Sequence, residues 1–341
     1  LSEIAERQGE PERAAEYFDS AFEASRESAE ERERLVGALR TRGRHGMLAR
    51  ALEARLAGAS DASQAVAILD ELAQVYEDHL GRPDDALATR LRAISLDPIH
   101  DLAHRSARAL ADRTGNKSKY LEVVSRLSDA ATDDNRKLEL LLHLGRAYGG
   151  DPAFDEQARS VYTRAEPLLA ARPDEAKTLE VLRALDSIYG RRGEQDAQAA
   201  ILEKLIAAAP AGTPSEQADP MYRLAAIRLL DASSQERGCE LLEKAFALDP
   251  QAERVETCLR DTIARIPSSE PALRLLELLG RTTERPRLLL EAILLLHGIG
   301  KANTEQLREA VTIARELGEA ALRESCLRAL LSVMESTVPS A

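Results

Sequence analysis

Leu72-Ala73-Gln74-Val75-Tyr76, followed by Gly81-Arg82-Pro83, Ala86, Ala93 and Asp97-Pro98, is the stretch that decides how this 341-residue chain is built. It recurs. Moved 72 residues along, Leu72, Ala73, Tyr76, Ala86 and Ala93 fall on Leu144, Gly145, Tyr148, Ala158 and Ala165. A fixed period of tens of residues marks a repeat architecture. One helical hairpin cannot bury its apolar stripe alone, so stacking against neighbours supplies the core. Such a stack offers surface for contact rather than an enclosed pocket for chemistry.

Outward from this stretch nearly everything reads as helix, broken every twelve to eighteen residues, with no alternating β-branched and aromatic runs. Asp133-Asp134 precedes the periodic Leu138, Leu141, Leu142 and Leu144, and Pro173-Asp174 precedes Leu179, Leu182 and Leu185. Short polar residues in those places satisfy the free amides of a first turn. Gly9-Glu10-Pro11, Gly81-Arg82-Pro83 and Gly150-Asp151-Pro152 read as one turn device. A left-handed Gly ends one helix and Pro opens the next. The count comes to roughly nineteen or twenty helices, about ten hairpins with a period near 34–36 residues. Irregular spots fall at residues 57–63, 210–215 and 298–303, the second being the most linker-like and read as an inter-repeat loop.

The formal net charge of −12 opposes a phosphate polyanion, so nucleic acid is not expected as a general partner. Lys occurs at seven positions only, and the other basic residues are Arg, a bias that points to a GC-rich bacterial genome. Cys239, Cys258 and Cys326 lie far apart, with no Cys-x-x-Cys pair. They are expected as buried free thiols in a reducing, cytoplasmic setting. No apolar run reaches eighteen residues, so no membrane span is expected. The chain opens at Leu1, inside an expected helix, and reads as a fragment of a longer protein.

These residues resemble the tetratricopeptide repeat, in which a Leu, a small residue and an aromatic on the first helix face Ala, a bulky residue and Ala on the second. Leu72, Ala73, Tyr76, Ala86, Ala93 and Pro98 match, as do Leu144, Gly145, Tyr148, Ala158, Tyr162 and Ala165. Leu185, Tyr189, Gly193, Leu202 and Pro210 match with Asp186 and Gln198 in place of small residues. Leu224, Ala225, Gly238, Leu242, Ala245 and Pro250 match without the aromatic, and Leu1, Ser2, Gly9, Ala14, Phe18 and Ala21 fit a unit cut inside its first helix. Repeats are thus expected over residues 1–250, degenerate at 27–67 and 99–132, with weak-consensus helical repeats continuing the same solenoid over 251–341. The resemblance implies an all-α solenoid of stacked antiparallel hairpins wound as a right-handed superhelix.

The resemblance also implies that first helices line a concave face that binds a partner protein or peptide. Gln74, Arg146 and Ser187, each following the small position, point to that face. Chaperone-binding relatives carry Asn there, and this chain does not, so a chaperone tail is not the expected ligand. Arg146, Arg183, Arg191 and Arg192 form a basic stripe expected to dock an acidic patch or peptide, Arg being suited to bidentate grip of carboxylates.

Catalytic and cofactor motifs are not expected. Gly298-Ile299-Gly300-Lys301-Ala302 ends like a phosphate loop but has Leu295 where the first Gly belongs and Ala302 where a hydroxyl belongs. His100 and His104 share one helix face, as zinc ligands do, yet no third ligand accompanies them, and they read as solvated or capping. His45, His79, His143 and His297 read as scattered. Leu288-Leu289-Leu290 and Ile293-Leu294-Leu295-Leu296 make a helix apolar nearly all round, an inner helix of the stack or else a dimer or partner surface. The expected function is a non-enzymatic scaffold or adaptor, in a bacterial motility, polarity, secretion or signalling assembly. The alternatives are a regulatory segment of a larger enzyme or sensor, and a self-assembling module.

Overall fold

A computed structural model describes residues 4–5, 8–25, 28–208 and 213–337. The sequence readings at Leu1, Ser2 and residues 210–212 lie outside the described residues. The chain divides into two compact units, Leu1–Pro173 and Asp174–Ala341. The first holds α1 (Pro11–Ser25), α2 (Ala29–Thr41), α3 (His45–Ala57), α4 (Ala62–Gln74, prolonged by a π-helical turn at Val75–His79), α5 (Pro83–Leu96), α6 (Asp101–Thr114), α7 (Lys117–Ala130), α8 (Asp134–Tyr148) and α9 (Asp155–Ala171). The second holds α10 (Glu175–Arg192), α11 (Gln195–Ala208), α12 (Pro214–Arg228), α13 (Gln235–Leu248), α14 (Ala252–Arg265), α15 (Glu270–Thr282), α16 (Pro286–Gly298), α17 (Thr304–Glu316) and α18 (Ala320–Thr337). Among the described residues there is no strand, and within each unit every helix packs on the next. Each unit is therefore a stack of antiparallel helical hairpins.

The helix ends follow the local signals. Asp133 and Asp174 accept hydrogen bonds from the backbone N–H of Arg136 and Lys177 at 2.8 and 3.0 Å, capping α8 and α10. Gly81 adopts φ +61°, and Pro83 then opens α5. The stretch at Gly150 departs from the expected turn. The last turn of α8 runs on through Gly149 at φ −66°, and Gly150 is not left-handed. Asp151 instead caps a single 3-10 turn, Pro152–Phe154, that leads into α9.

Close approach of paired helices explains the small residues. Ala73, Ala86, Ala93, Ala158 and Ala165 are completely buried. A Cβ on Gly145 would stand 2.4 Å from the Tyr162 ring, closer than any real contact, so Gly on α8 and Tyr on α9 are complementary shapes. The same device reappears where the sequence consensus fades. A Cβ on Gly280 in α15 would stand 2.7 Å from the backbone N of Leu289 in α16. Glu270–Thr282 is thereby the first helix of a tight hairpin. Helix α14 contacts α15 more widely than it contacts α13, and α13 also touches α15 directly. This single helix shifts the alternation of first and second helices, which is why a fixed period read from the sequence loses its match after Gln251.

Helix α16 joins two core clusters. Leu288 belongs to a cluster built from α12, α13, α14 and α15, whereas Leu289, Leu290 and Ile293 belong to one shared with α17 and α18. It is an inner helix of its unit, and of its apolar residues Leu295 stays 37% exposed. Across the surface, Arg side chains reach acids about one repeat away: Arg40 to Glu71, Arg113 to Glu77, Arg164 to Asp129 and Arg281 to Glu309. Each exposed pair contributes less than about 1 kcal/mol.

The α15–α16 hairpin supplies two opposite tests. Glu284 holds φ +51° in the turn, where a helix end ordinarily takes Gly, and its side chain is exposed. Glu284→Gly is expected to raise stability by about 0.5–1 kcal/mol by removing left-handed strain. Gly280→Ala is expected to lower it by about 1–2 kcal/mol, overpacking outweighing the better helix propensity. Urea unfolding midpoints of the two variants should move in opposite directions.

Candidate functional site

The second unit carries a cleft of about 560 Å³ between α10 and α12, with Leu205 of α11 beneath it. Helix periodicity sets one wall. Leu179, Arg183, Asp186 and Ser187 stand at i, i+4, i+7 and i+8 on α10, on one face. The other wall is the first half of α12, opened by a capping box in which Thr213 and Glu216 satisfy each other's backbone N–H. Pro220 adds an apolar patch, and Arg223 closes the wall.

Asp186 stands where the other hairpins place Ala73, Gly145 or Ala225, and it is buried. Three donors make this tolerable. Gln198, from the facing position on α11, donates Nε2–H to Oδ1 at 3.0 Å. Arg223 donates Nη2–H to Oδ1 at 2.8 Å and Nη1–H to Oδ2, a bidentate grip. A polar triad thus replaces the small–small crossing and draws α12 onto α10. The neighbouring acids are also engaged. Asp219 accepts from Arg254 at 3.0 Å, while the Arg254 guanidinium lies 4.6 Å from the centre of the Tyr222 ring. Glu216 is held by Thr213. Among the described residues the exposed Arg183 side chain has no hydrogen bond or ion pair, so it lines the cleft without a direct partner.

The sequence-derived residues divide between the units. Gln74 ends α4 and Arg146 lies on α8, both exposed in the first unit at the same repeat position as Ser187 in the second. Arg183 and Ser187 line the cleft. Arg191 donates to Ser187 Oγ at 2.8 Å, and Arg192 pairs with Glu194 at 2.5 Å. The cleft also contains residues that sequence reasoning did not select, Asp186, Arg223 and Asp219 among them. The signal for Asp186 was present as its departure, with Gln198, from the small-residue pattern.

The histidines correct the sequence reading. His104 is not solvated: it is 1% exposed, between Tyr120 and His143. His100 occupies the N-cap position of α6 but makes no capping bond, and its Nε2 lies 3.8 Å from Asp70. Nor are the others all scattered, since His45 stacks on His79 and His104 on His143, each pair with ring centres 3.8 Å apart. Among the described residues no three His, Cys, Asp or Glu side chains are grouped to hold a metal. Cys239 and Cys326 are buried and Cys258 half-buried, and burial pushes the Cys239 thiol up to about 12 and Cys258 up to about 11. Gly300 ends α16 in the left-handed region, and Lys301 pairs with Glu270 at 2.8 Å, so the phosphate-loop look-alike is a helix terminus. No helix among the described residues is long and apolar enough to cross a membrane.

No family model matches the chain, and no curated protein matches it in sequence. Among solved structures it is similar to the C-terminal part of a TPR repeat-containing protein from Cytophaga hutchinsonii, at 15% identity over 75% of this chain and 97% of that one, with a TM-score of 0.40. It is similar also to a tetratricopeptide repeat protein from Parabacteroides merdae, at 16% identity over 77% and 96%, with a TM-score of 0.28. A third is the Naa15/Naa10 structure bound to HypK-THB, at 13% identity over 98% and 64%, with a TM-score of 0.26.

The triad predicts an asymmetry. Arg223→Ala leaves the Asp186 carboxylate buried with Gln198 alone and is expected to cost about 2–4 kcal/mol. Asp186→Ala restores the small residue of the other hairpins and frees Arg223, itself about a third exposed, to turn to water. Its cost is expected to be smaller, about 1 kcal/mol. Thermal and urea unfolding of both variants should rank them in that order.

Proposed function

We propose that this chain, a helical repeat array of the tetratricopeptide type, is a non-enzymatic adaptor that docks an acidic protein segment in the α10–α12 cleft. The observation that carries this reading is the unpartnered Arg183 in a cleft whose own carboxylates are already engaged. A side chain carboxylate entering there gains a charge-assisted bond without displacing an internal pair. Leu179, Leu205 and Pro220 offer apolar contact to residues flanking that carboxylate. The net charge of −12 favours a protein over a nucleic-acid ligand. The Arg-for-Lys bias fits a bacterial setting such as a motility, polarity, secretion or signalling assembly.

The test is a photo-crosslinking amino acid placed at Ser187 of the full-length protein in its source cells. A discrete crosslinked protein is expected, and Arg183→Glu should reduce its yield about tenfold, the equivalent of about 1.4 kcal/mol. Arg192→Glu, outside the cleft, should change it less than about twofold. Absence of a crosslink, or a yield indifferent to Arg183→Glu, overturns the reading.

A further inference from the structure

The buried histidine pair of the first unit lies where two hairpins meet. His104 comes from α6 and His143 from α8, and their rings stack with centres 3.8 Å apart and planes 5° from parallel. Tyr120, from α7, meets the His104 ring edge-on at 88°. One joint thus engages three consecutive helices. Tyr120 is 1% exposed and His143 5%.

The hydrogen bonds set the protonation state. His104 Nε2 lies 3.0 Å from the carbonyl oxygen of Pro98, which can only accept, so Nε2 carries the hydrogen. Nδ1, 3.0 Å from the Tyr120 hydroxyl, is then the acceptor in the neutral ring. A proton arriving at Nδ1 reverses that bond, so that Nδ1–H donates to the Tyr120 oxygen, the hydroxyl hydrogen loses its acceptor, and a positive charge is left in a buried site. His143 has no side-chain hydrogen bond among the described residues to offset a charge.

The surrounding charges complete the picture. Burial holds His104 below the usual histidine range, opposed by the Pro98 carbonyl and by Asp101 and Asp97 and reinforced by His100. Burial pushes His143 down to about 3, and His104, Arg146 and Arg108 all act in the same direction.

We propose that the His104–Tyr120–His143 joint is an acid-sensitive clasp, which is closed when both rings are neutral and which releases α6 from α8 when either takes a proton. The sign follows from linkage. The open state, with ordinary histidines titrating near 6.5, binds more protons than the closed state. The stabilisation is full above about pH 6.5 and declines as the pH falls below it, toward the depressed value of the closed state. This regulation concerns the first unit and stands apart from the cleft in the second.

Native-state hydrogen exchange at pH 7 and pH 5, corrected for intrinsic rates, tests it. Opening of α6 and α8 is expected to rise at least about tenfold more than opening of the α12–α13 hairpin, which contains no histidine. His143→Phe keeps a ring for the stack and removes one site of protonation, and should cut that excess at least about threefold. An equal rise in both regions, or an unchanged excess in the variant, overturns the clasp. If His143→Phe does not fold, the imidazole carbon-bound protons of the wild-type protein decide by NMR titration. Unshifted titration of both rings near 6.5 in the folded state overturns it, and depressed titration of both supports it.

Discussion

Everything in this molecule depends on how near two helices can come at a hairpin crossing. Gly145 admits the ring of Tyr162, and Gly280 admits the backbone of Leu289. Each contact lets apolar side chains on both helices close over one another without a void. No hairpin reaches a complete core this way. Its outer apolar face is finished by the next hairpin, as α16 shows by contributing Leu288 to one cluster and Ile293 to the next. The array is therefore stabilised by nearest neighbours, and its exposed faces are free to vary.

Where the crossing rule is broken, the structure becomes informative. Asp186 and Gln198 occupy positions that elsewhere hold small residues, and a third partner, Arg223, comes from the following hairpin. The local consequence is a buried carboxylate held by three donors from two side chains, and a cleft in which Arg183 is left unpaired. His104 and Tyr120 form a second departure. There a polar contact is closed by stacking instead of by charge. Each departure starts inside one hairpin and takes a further partner from the next, Arg223 in the first case and His143 in the second.

Much of the fold was legible because it rests on local chemistry. The Asp133 and Asp174 caps, the Gly81 and Gly9 turns and the buried alanines follow from backbone sterics and the need to satisfy amides. What escaped the sequence was set by three-dimensional meeting of distant residues. The stacked histidines, 34 and 39 positions apart, cannot be paired by pattern alone. The Gly280 hairpin was hidden because α14 shifts the phase, so a fixed period no longer fell on it. At the cleft, Arg183 and Ser187 were readable as exposed first-helix positions. Arg191 and Arg192 were not distinguishable from them until their bonds to Ser187 and Glu194 were seen.

The arginines that reach from one repeat to the next have a consequence for chemical control. A guanidinium stays charged throughout the accessible pH range and, unlike an amine, is not a target of acylation. With only seven lysines, of which Lys301 pairs with Glu270 and Lys177 with Asp174, most of the inter-repeat pairs on this surface lie beyond the reach of acetyl transfer. The stack is in this respect insulated from the commonest way a cell neutralises a positive side chain. Amine-directed reagents would label it sparsely and leave the joints between its repeats intact.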